Sequence, residues 1–247
     1  MYIIPTNSDW AVVVPMANEE KEFAPFIEAL THVLDQLKSG KVYLITDKVS
    51  KDKTPELCNL LASQDFRFVH VWAPNNKNVT EAYLKGYWEA LNGNHQLILE
   101  MDAGLSHDPN QIPHLIAALE KGNECAFGSR FMKGNSHMES NFMRYFLSKG
   151  GTILANFLLG TRFKDMTSGF QGFRQEVVAV FVTYKFHSIA HFYQSELRYL
   201  LRKRKYIEIP VSYKAPSPNV STVSFFNSIY VLFYYFCRRL IFKKDSI

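Results

Sequence analysis

Leu97-Ile98-Leu99-Glu100-Met101-Asp102-Ala103-Gly104-Leu105-Ser106-His107-Asp108-Pro109 is the stretch on which the fold turns. Its apolar start predicts a buried strand that stops at Asp102, where the chain would leave the core. An unpaired buried carboxylate is costly, so an Asp placed there faces a cleft, a cation or a hydrogen-bond donor. In open α/β sheets that edge is where ligands bind. Gly104 lets the backbone turn, and Asp108-Pro109 predicts a helix start with Asp as N-cap and Pro in the first turn. The same letters also spell a plain strand–turn–helix joint with a capping Asp and a surface His. The stretch alone leaves both readings open.

Upstream, Trp10-Ala11-Val12-Val13-Val14 is a continuous apolar run closed by Pro15, as in a strand buried on both faces. Phe23, Phe26, Ile27, Leu30, Val33, Leu34 and Leu37 recur at helical spacing, and Ser39-Gly40 closes that helix. A second strand is expected over residues 42–46, ending at Asp47. A helix over 55–63, a strand over 66–72 and a helix over 80–91 follow. Strands that alternate with helices need parallel crossovers, so the chain predicts an α/β protein with a mostly parallel sheet. Asp47 and Asp102 then fall on one edge.

Downstream, residues 110–121 read as helix and Cys125-Ala126-Phe127 as a short strand before Gly128-Ser129-Arg130. An apolar helix spans 142–159 and stops at Gly160. Asp165 to Phe170 is a polar turn before an aromatic-rich strand, with a helix over 191–204 and a strand over 207–211. Pro216-Ser217-Pro218-Asn219 is the one boundary signal. It divides a domain over 1–215 from an aromatic tail over 216–247.

With 247 residues, 47% hydrophobic and 21% charged, the chain is globular and not disordered. Cys58, Cys125 and Cys237 form no close pair and no metal-ligand spacing, which predicts reduced thiols in a cytosolic setting. Residues 1–10 show no basic flank followed by an apolar run, so no signal segment is read there. A net charge of +5 suits nucleic acid, anionic lipid or phosphorylated substrates. Scattered Lys and Arg, with no basic stripe, argue against nucleic acid.

In order and spacing these motifs resemble the family 2 glycosyltransferases of the GT-A (Rossmann-like) fold, nearest the polyprenol-phosphate (dolichol-phosphate) mannosyl- and glucosyltransferase branch. The resemblance runs from about Trp10 to about Tyr213. Pro15-Met16-Ala17-Asn18-Glu19 resembles the family's Pro-x-x-Asn-Glu, which implies donor-nucleoside contacts from Pro15, Asn18 and Glu19. Physically, a strand end offers acceptors for ribose hydroxyls and base N–H groups; helix capping by Asn18 or Glu19 is the alternative. Asp47 to Thr54 resembles Asp-Asp-Gly-Ser-x-Asp-Gly-Thr at Asp47, Ser50, Asp52 and Thr54, implying that Asp47 accepts from the nucleobase. Lys48, Val49 and Lys53 depart from the pattern and remove its glycines.

Met101 to His107 resembles the Met-Asp-Ala-Asp-Leu-Ser-His segment that carries the metal-binding Asp-x-Asp. Asp102 is in place, but Gly104 stands where the second Asp would be. The resemblance implies Mg²⁺ or Mn²⁺ on Asp102, with a weak metal requirement; His107 and Asp108 are candidate substitutes for the lost carboxylate. A hard cation suits a diphosphate leaving group. Gly128-Ser129-Arg130 followed by Arg144 and Ser148 resembles the branch's acceptor-phosphate pattern. Arg144 and Ser148, four apart, share a helix face, and Arg suits phosphate because its planar fork gives two charge-assisted bonds. Arg144 is otherwise a solvated surface charge. Asp165 to Arg174 resembles the branch's Asp-x-Thr-Ser-Gly-Phe-Arg element, implying Asp165 at the reaction centre and Arg174 as phosphate support. Glu208 to Lys214 matches the strand before the branch's basic loop, whose Gly-x-Ser-Lys is replaced by Pro218-Asn219-Val220-Ser221.

The resemblance implies an inverting enzyme that moves a hexose from a nucleotide-diphosphate sugar to a polyprenyl phosphate, in cell-envelope or glycolipid synthesis. Two alternatives stay open: a transferase to a saccharide acceptor, with Asp165 as base, or a nucleotide-sugar-binding protein without activity. The tail over 223–242, aromatic and followed by Lys243-Lys244, is short for a bilayer span and fits an amphipathic interfacial helix on anionic lipid. A terminal helix packed on the core is the other reading. The expected location is peripheral, on the cytoplasmic face of a membrane.

Overall fold

A computed structural model describes residues 8–37, 39–132, 137–138, 142–190, 192–214, 221–241 and 246–247, with backbone alone at 137–138 and 142–144. The expected alternation forms. Strands β1 (Trp10–Pro15), β2 (Gly40–Thr46), β3 (Phe68–Trp72) and β4 (Leu97–Glu100) run parallel, linked by helices α1 (Phe23–Gln36), α2 (Thr54–Gln64) and α3 (Val79–Asn92). After β4 the chain passes through a 3-10 turn, Pro109–Gln111, into α4 (Ile112–Glu120) and β5 (Cys125–Ser129). Then come β6 (His137–Met138), α5 (Phe142–Leu159), β7 (Gln171–Arg174), α6 (Gln175–Phe181) and α7 (Tyr193–Leu200). β8 (Tyr206–Pro210), β9 (Ser212–Tyr213) and α8 (Thr222–Ile241) complete the described elements. The main sheet has the order β3-β2-β1-β4-β7-β5-β8, with β6 and β9 as a separate pair.

Among the described strands of the main sheet, only β7 runs against its neighbours: Gln171 faces Glu100, and Arg174 faces Leu97 at the other end of β4. Alternation along β1 feeds both layers. Trp10, Val12 and Val14 pack with α1 and α4, while Ala11 and Val13 pack with α3, α6 and α7. Both faces are covered, which accounts for the unbroken apolar runs. The helix expected over 191–204 is shorter, because the chain turns at Leu201 and Arg204 is drawn to Glu124 at 3.2 Å.

α8 packs on the core along one face, as the second reading of the tail expected. Val231 and Tyr235 are buried, and the Tyr235 hydroxyl donates to Glu196 at 2.8 Å. Arg239 donates to the Phe157 and Leu158 carbonyls at the end of α5, satisfying groups that a helix C-terminus leaves open. The opposite face exposes Phe225, Phe226, Tyr230 and Phe233, beside Phe146, Leu154 and Phe157 of α5. Among the described residues no helix is long and apolar enough to cross a membrane.

Candidate active site

The carboxyl ends of β1, β2 and β4 meet where the sequence placed them, with Pro15, Asp47 and Asp102 on one edge. The loop after β2 lacks the pattern's glycines and does not need them: among the described residues, none from Asp47 to Thr54 has a positive φ. Polar side chains build it instead. Val49 N–H donates to Asp47 Oδ1 at 2.9 Å and Thr54 N–H to Asp52 Oδ1 at 3.1 Å. Across the gap, Ser50 Oγ accepts from Asn18 N–H at 2.9 Å and Thr54 Oγ1 from Glu19 N–H at 2.8 Å. Asn18 itself, at φ 60°, takes Lys51 N–H on its Oδ1 at 2.8 Å. Its amide therefore fastens two loops together, and the Glu19 carboxylate is left to point at the cleft.

Asp102 sits in a close-fitting slot. Tyr83 donates its hydroxyl to Oδ1 at 2.5 Å. A Cβ on Gly169 would stand 3.1 and 3.2 Å from the two carboxylate oxygens, so the Thr-Ser-Gly-Phe turn needs glycine for close approach. The side chain remains 32% exposed, which leaves an oxygen available to a ligand. At Gly104, φ is +75°, and a Cβ would lie 3.0 Å from Glu19 Oε2. Glu19 Oε2 thus lies beside the backbone position of the missing second carboxylate. Burial, and then the charges of Asp102, Asp52 and Glu22, push its carboxyl above the usual range.

His107 corrects the expectation of a surface histidine. It is fully buried, its ring stacked 5.4 Å from Phe170, and its Nδ1 accepts from Asp102 N–H at 3.4 Å. Burial holds it below the ordinary histidine range, and its Nε2 has no hydrogen-bond partner among the described residues. Asp108 caps the 3-10 turn by accepting from Asn110 N–H at 3.0 Å. His107 Nδ1 also lies 3.7 Å from Asp102 Oδ2.

Asp165 is fully buried. Its Oδ2 takes Arg130 Nε at 2.7 Å and Arg130 N–H at 3.0 Å, and its Oδ1 takes Arg130 Nη2 at 2.9 Å and Thr167 N–H at 3.0 Å. Burial alone would raise this carboxyl, but the charge and hydrogen bonds of Arg130, with the charge of Arg198, hold it down at about 2. A carboxylate so held is a weak proton acceptor.

Arg198, which the sequence reading missed, is 0% exposed and ties the turn together. It donates to the carbonyls of Asp165, Ser168 and Gly128 and to Gln171 Oε1. A lone Arg in a short helix carried no pattern that could announce it. Glu100 was hidden in the same way, inside an apolar strand. It is fully buried and accepts from Tyr87, Tyr193 and Gln171.

Arg174 does not support phosphates. Because β7 is antiparallel, it emerges at the opposite edge of the sheet and donates to the Leu119 and Asn123 carbonyls at the end of α4, at 3.2 and 3.3 Å. Ser148 lies part-exposed on α5, one turn from position 144. The Arg144 side chain lies outside the described residues, as do Lys243, Lys244 and the segment 215–220.

A mostly parallel sheet whose carboxyl edge gathers the loop after β2, a part-exposed Asp and a buried Arg–Asp pair is the architecture of a glycosyltransferase of the GT-A fold. The profile of Glycosyl transferase family 2 matches residues 11–181, and the chain belongs to that family. It is 28% identical over 216 residues to the polyprenol monophosphomannose synthase of Mycolicibacterium smegmatis, covering 86% of this chain and 80% of that protein. It is 25% identical over 207 residues to the undecaprenyl-phosphate mannosyltransferase of Micrococcus luteus, covering 81% and 82%. In fold it is similar to glucosyl-3-phosphoglycerate synthase from Mycobacterium tuberculosis, solved with Mn²⁺, uridine diphosphate and phosphoglyceric acid. There the TM-score is 0.64 at 15% identity, over 93% of this chain and 79% of that one.

Proposed function

We propose that the protein transfers a hexose, with inversion, from a nucleotide-diphosphate sugar to a polyprenyl phosphate at a membrane surface. The phosphate oxygen attacks the anomeric carbon, that carbon's bond to the diphosphate oxygen breaks, and the nucleoside diphosphate leaves. The observation that carries the choice of acceptor is the state of Asp165. A sugar hydroxyl would need a base, and the carboxylate nominated for that role is enclosed by Arg130 and held at about 2. A phosphate monoester needs none, since its second pKa near ~6 leaves it largely dianionic at neutral pH. The two lipid-phosphate mannosyltransferase relatives support the same reading.

The enzyme's task is then alignment and charge neutralisation. Asp47 and the edge around Pro15, Asn18 and Glu19 receive the nucleoside. Arg130, its charge matched by Asp165, braces the turn at Thr167 beside the acceptor side, and Arg144 and Ser148 on α5 receive the acceptor phosphate. Asp102, with Glu19 facing the Gly104 gap, is the hard-oxygen pair suited to hold Mg²⁺ or Mn²⁺. Such a cation, when bound, neutralises charge on the departing diphosphate. The exposed apolar faces of α5 and α8 rest peripherally on the cytoplasmic side of the bilayer.

The test is incubation with a panel of nucleotide sugars and a short polyprenyl phosphate, followed by mass spectrometry. The expected product is the polyprenyl phosphate plus one hexose. Transfer to saccharides alone would refute the acceptor assignment.

A further inference from the structure

Tyr83 belongs to α3, a helix whose sequence carries no motif, yet its hydroxyl reaches the residue on which donor handling depends. We propose that Tyr83 is the positioning residue that fixes Asp102 for donor and cation binding, a role that rests on the reading of Asp102 given above. The geometry is restrictive. Tyr83 is 2% exposed, and its ring stacks on Tyr193 with centroids 5.5 Å apart and planes 17° from parallel. Tyr193 is anchored by its hydroxyl to Glu100 Oε2 at 3.1 Å, and Glu100 Oε1 is in turn held by Gln171 Nε2 at 2.7 Å. The Tyr83 oxygen therefore cannot wander, and its 2.5 Å bond fixes one Asp102 oxygen. Gly169 closes the slot from the other side. His107 Nδ1 lies 3.7 Å from Asp102 Oδ2, and the 32% of the side chain that stays exposed is what a ligand can reach.

The arrangement matters more in this chain because Gly104 has removed a carboxylate from the site. With fewer oxygens to share a cation, the orientation of the one strand-end Asp carries more of the affinity. Groups that orient a metal ligand from behind are worth about 10- to 100-fold in affinity or activity when removed. Tyr83→Phe keeps the ring and the stack and removes only the hydroxyl. Tyr87→Phe is the matched control: it is equally buried and donates to Glu100 at 2.9 Å, but it does not touch Asp102.

The experiment measures Mn²⁺ affinity by electron paramagnetic resonance, with UDP or GDP present, for wild type, Tyr83→Phe, Tyr87→Phe and Asp102→Asn, alongside thermal unfolding. Tyr83→Phe is expected to weaken Mn²⁺–nucleotide binding about 10- to 100-fold, whereas Tyr87→Phe lowers the melting temperature and leaves binding unchanged. Equal affinities for the two Tyr variants would make Tyr83 merely structural and overturn the proposal. Unchanged binding in Asp102→Asn would overturn the reading of Asp102 itself.

Discussion

Replacing Asp165 by Asn keeps the shape of a fully buried side chain and removes its charge. Arg130, 8% exposed, would then face an amide, and one of its N–H groups would meet an NH₂ that cannot accept. Removing one partner of a buried ion pair costs about 3–5 kcal/mol, because the other charge stays buried and uncompensated. For a domain of this size each kcal/mol shifts the melting temperature by about 2–4 °C, so Asp165→Asn should melt roughly 6–20 °C lower. The acid limb carries a second signature. The folded carboxyl lies at about 2 against an ordinary 3.8, so its contribution is present above pH 3.8 and is lost as pH falls toward 2. That is on the order of 2 kcal/mol of pH-dependent stability, and it should be missing from the variant. Thermal unfolding measures the first effect, and urea unfolding at a series of pH values the second. A midpoint within 1 °C of wild type, or an unaltered acid limb, would refute the reasoning.

Glu100 titrates in the opposite sense: burial, aided by the charge of Asp102, overcomes its hydrogen bonds and raises it to about 8. Its stabilisation is full below pH 4.5 and declines as pH rises to 8, and Glu100→Gln should flatten that slope in urea titrations. Arg174→Ala should cost about 1 kcal/mol through the uncapped end of α4 and leave acceptor affinity unchanged; a fall in affinity for polyprenyl phosphate would return Arg174 to the site. Phe226 and Phe233 are 65% and 61% exposed, so Phe226→Ser with Phe233→Ser should abolish sedimentation with anionic vesicles at an unchanged melting temperature. Continued sedimentation would remove this face from the membrane.

Strand and helix order was legible because the physics is local. Trp10 to Val14 and Leu97 to Leu99 are apolar without alternation, as strands covered on both faces must be. Asp102 and Asp47 were legible because strand ends are punctuated by polarity. Arg174 misled, since a motif gives spacing but not direction, and the reversal of β7 carries a neighbouring residue to the far edge. His107 misled because a loop histidine reads as exposed until Phe170 and Tyr213 are folded over it, with ring centroids at 5.4 and 5.2 Å. Tyr83, Glu100 and Arg198 act through partners distant in sequence. Glu100 and Tyr193, for example, are 93 residues apart. Such contacts leave no periodicity to read.

The reversal of β7 also governs how the chain comes together during synthesis. β4 pairs with β1 early, but its other edge waits for Gln171, which is 71 residues beyond Glu100. Until then a short apolar strand lies open to any neighbouring chain, the usual invitation to edge-to-edge aggregation. Glu100 stands on that strand. While water reaches it, it is an ordinary ionised carboxylate, and an inward-pointing charge on an open edge discourages a foreign strand. In the finished sheet Gln171 from β7 donates to it, and burial raises its carboxyl well above the usual range. The same side chain that joins β4 to β7 in the finished core is thus a charge on the open edge of the sheet before β7 is in place.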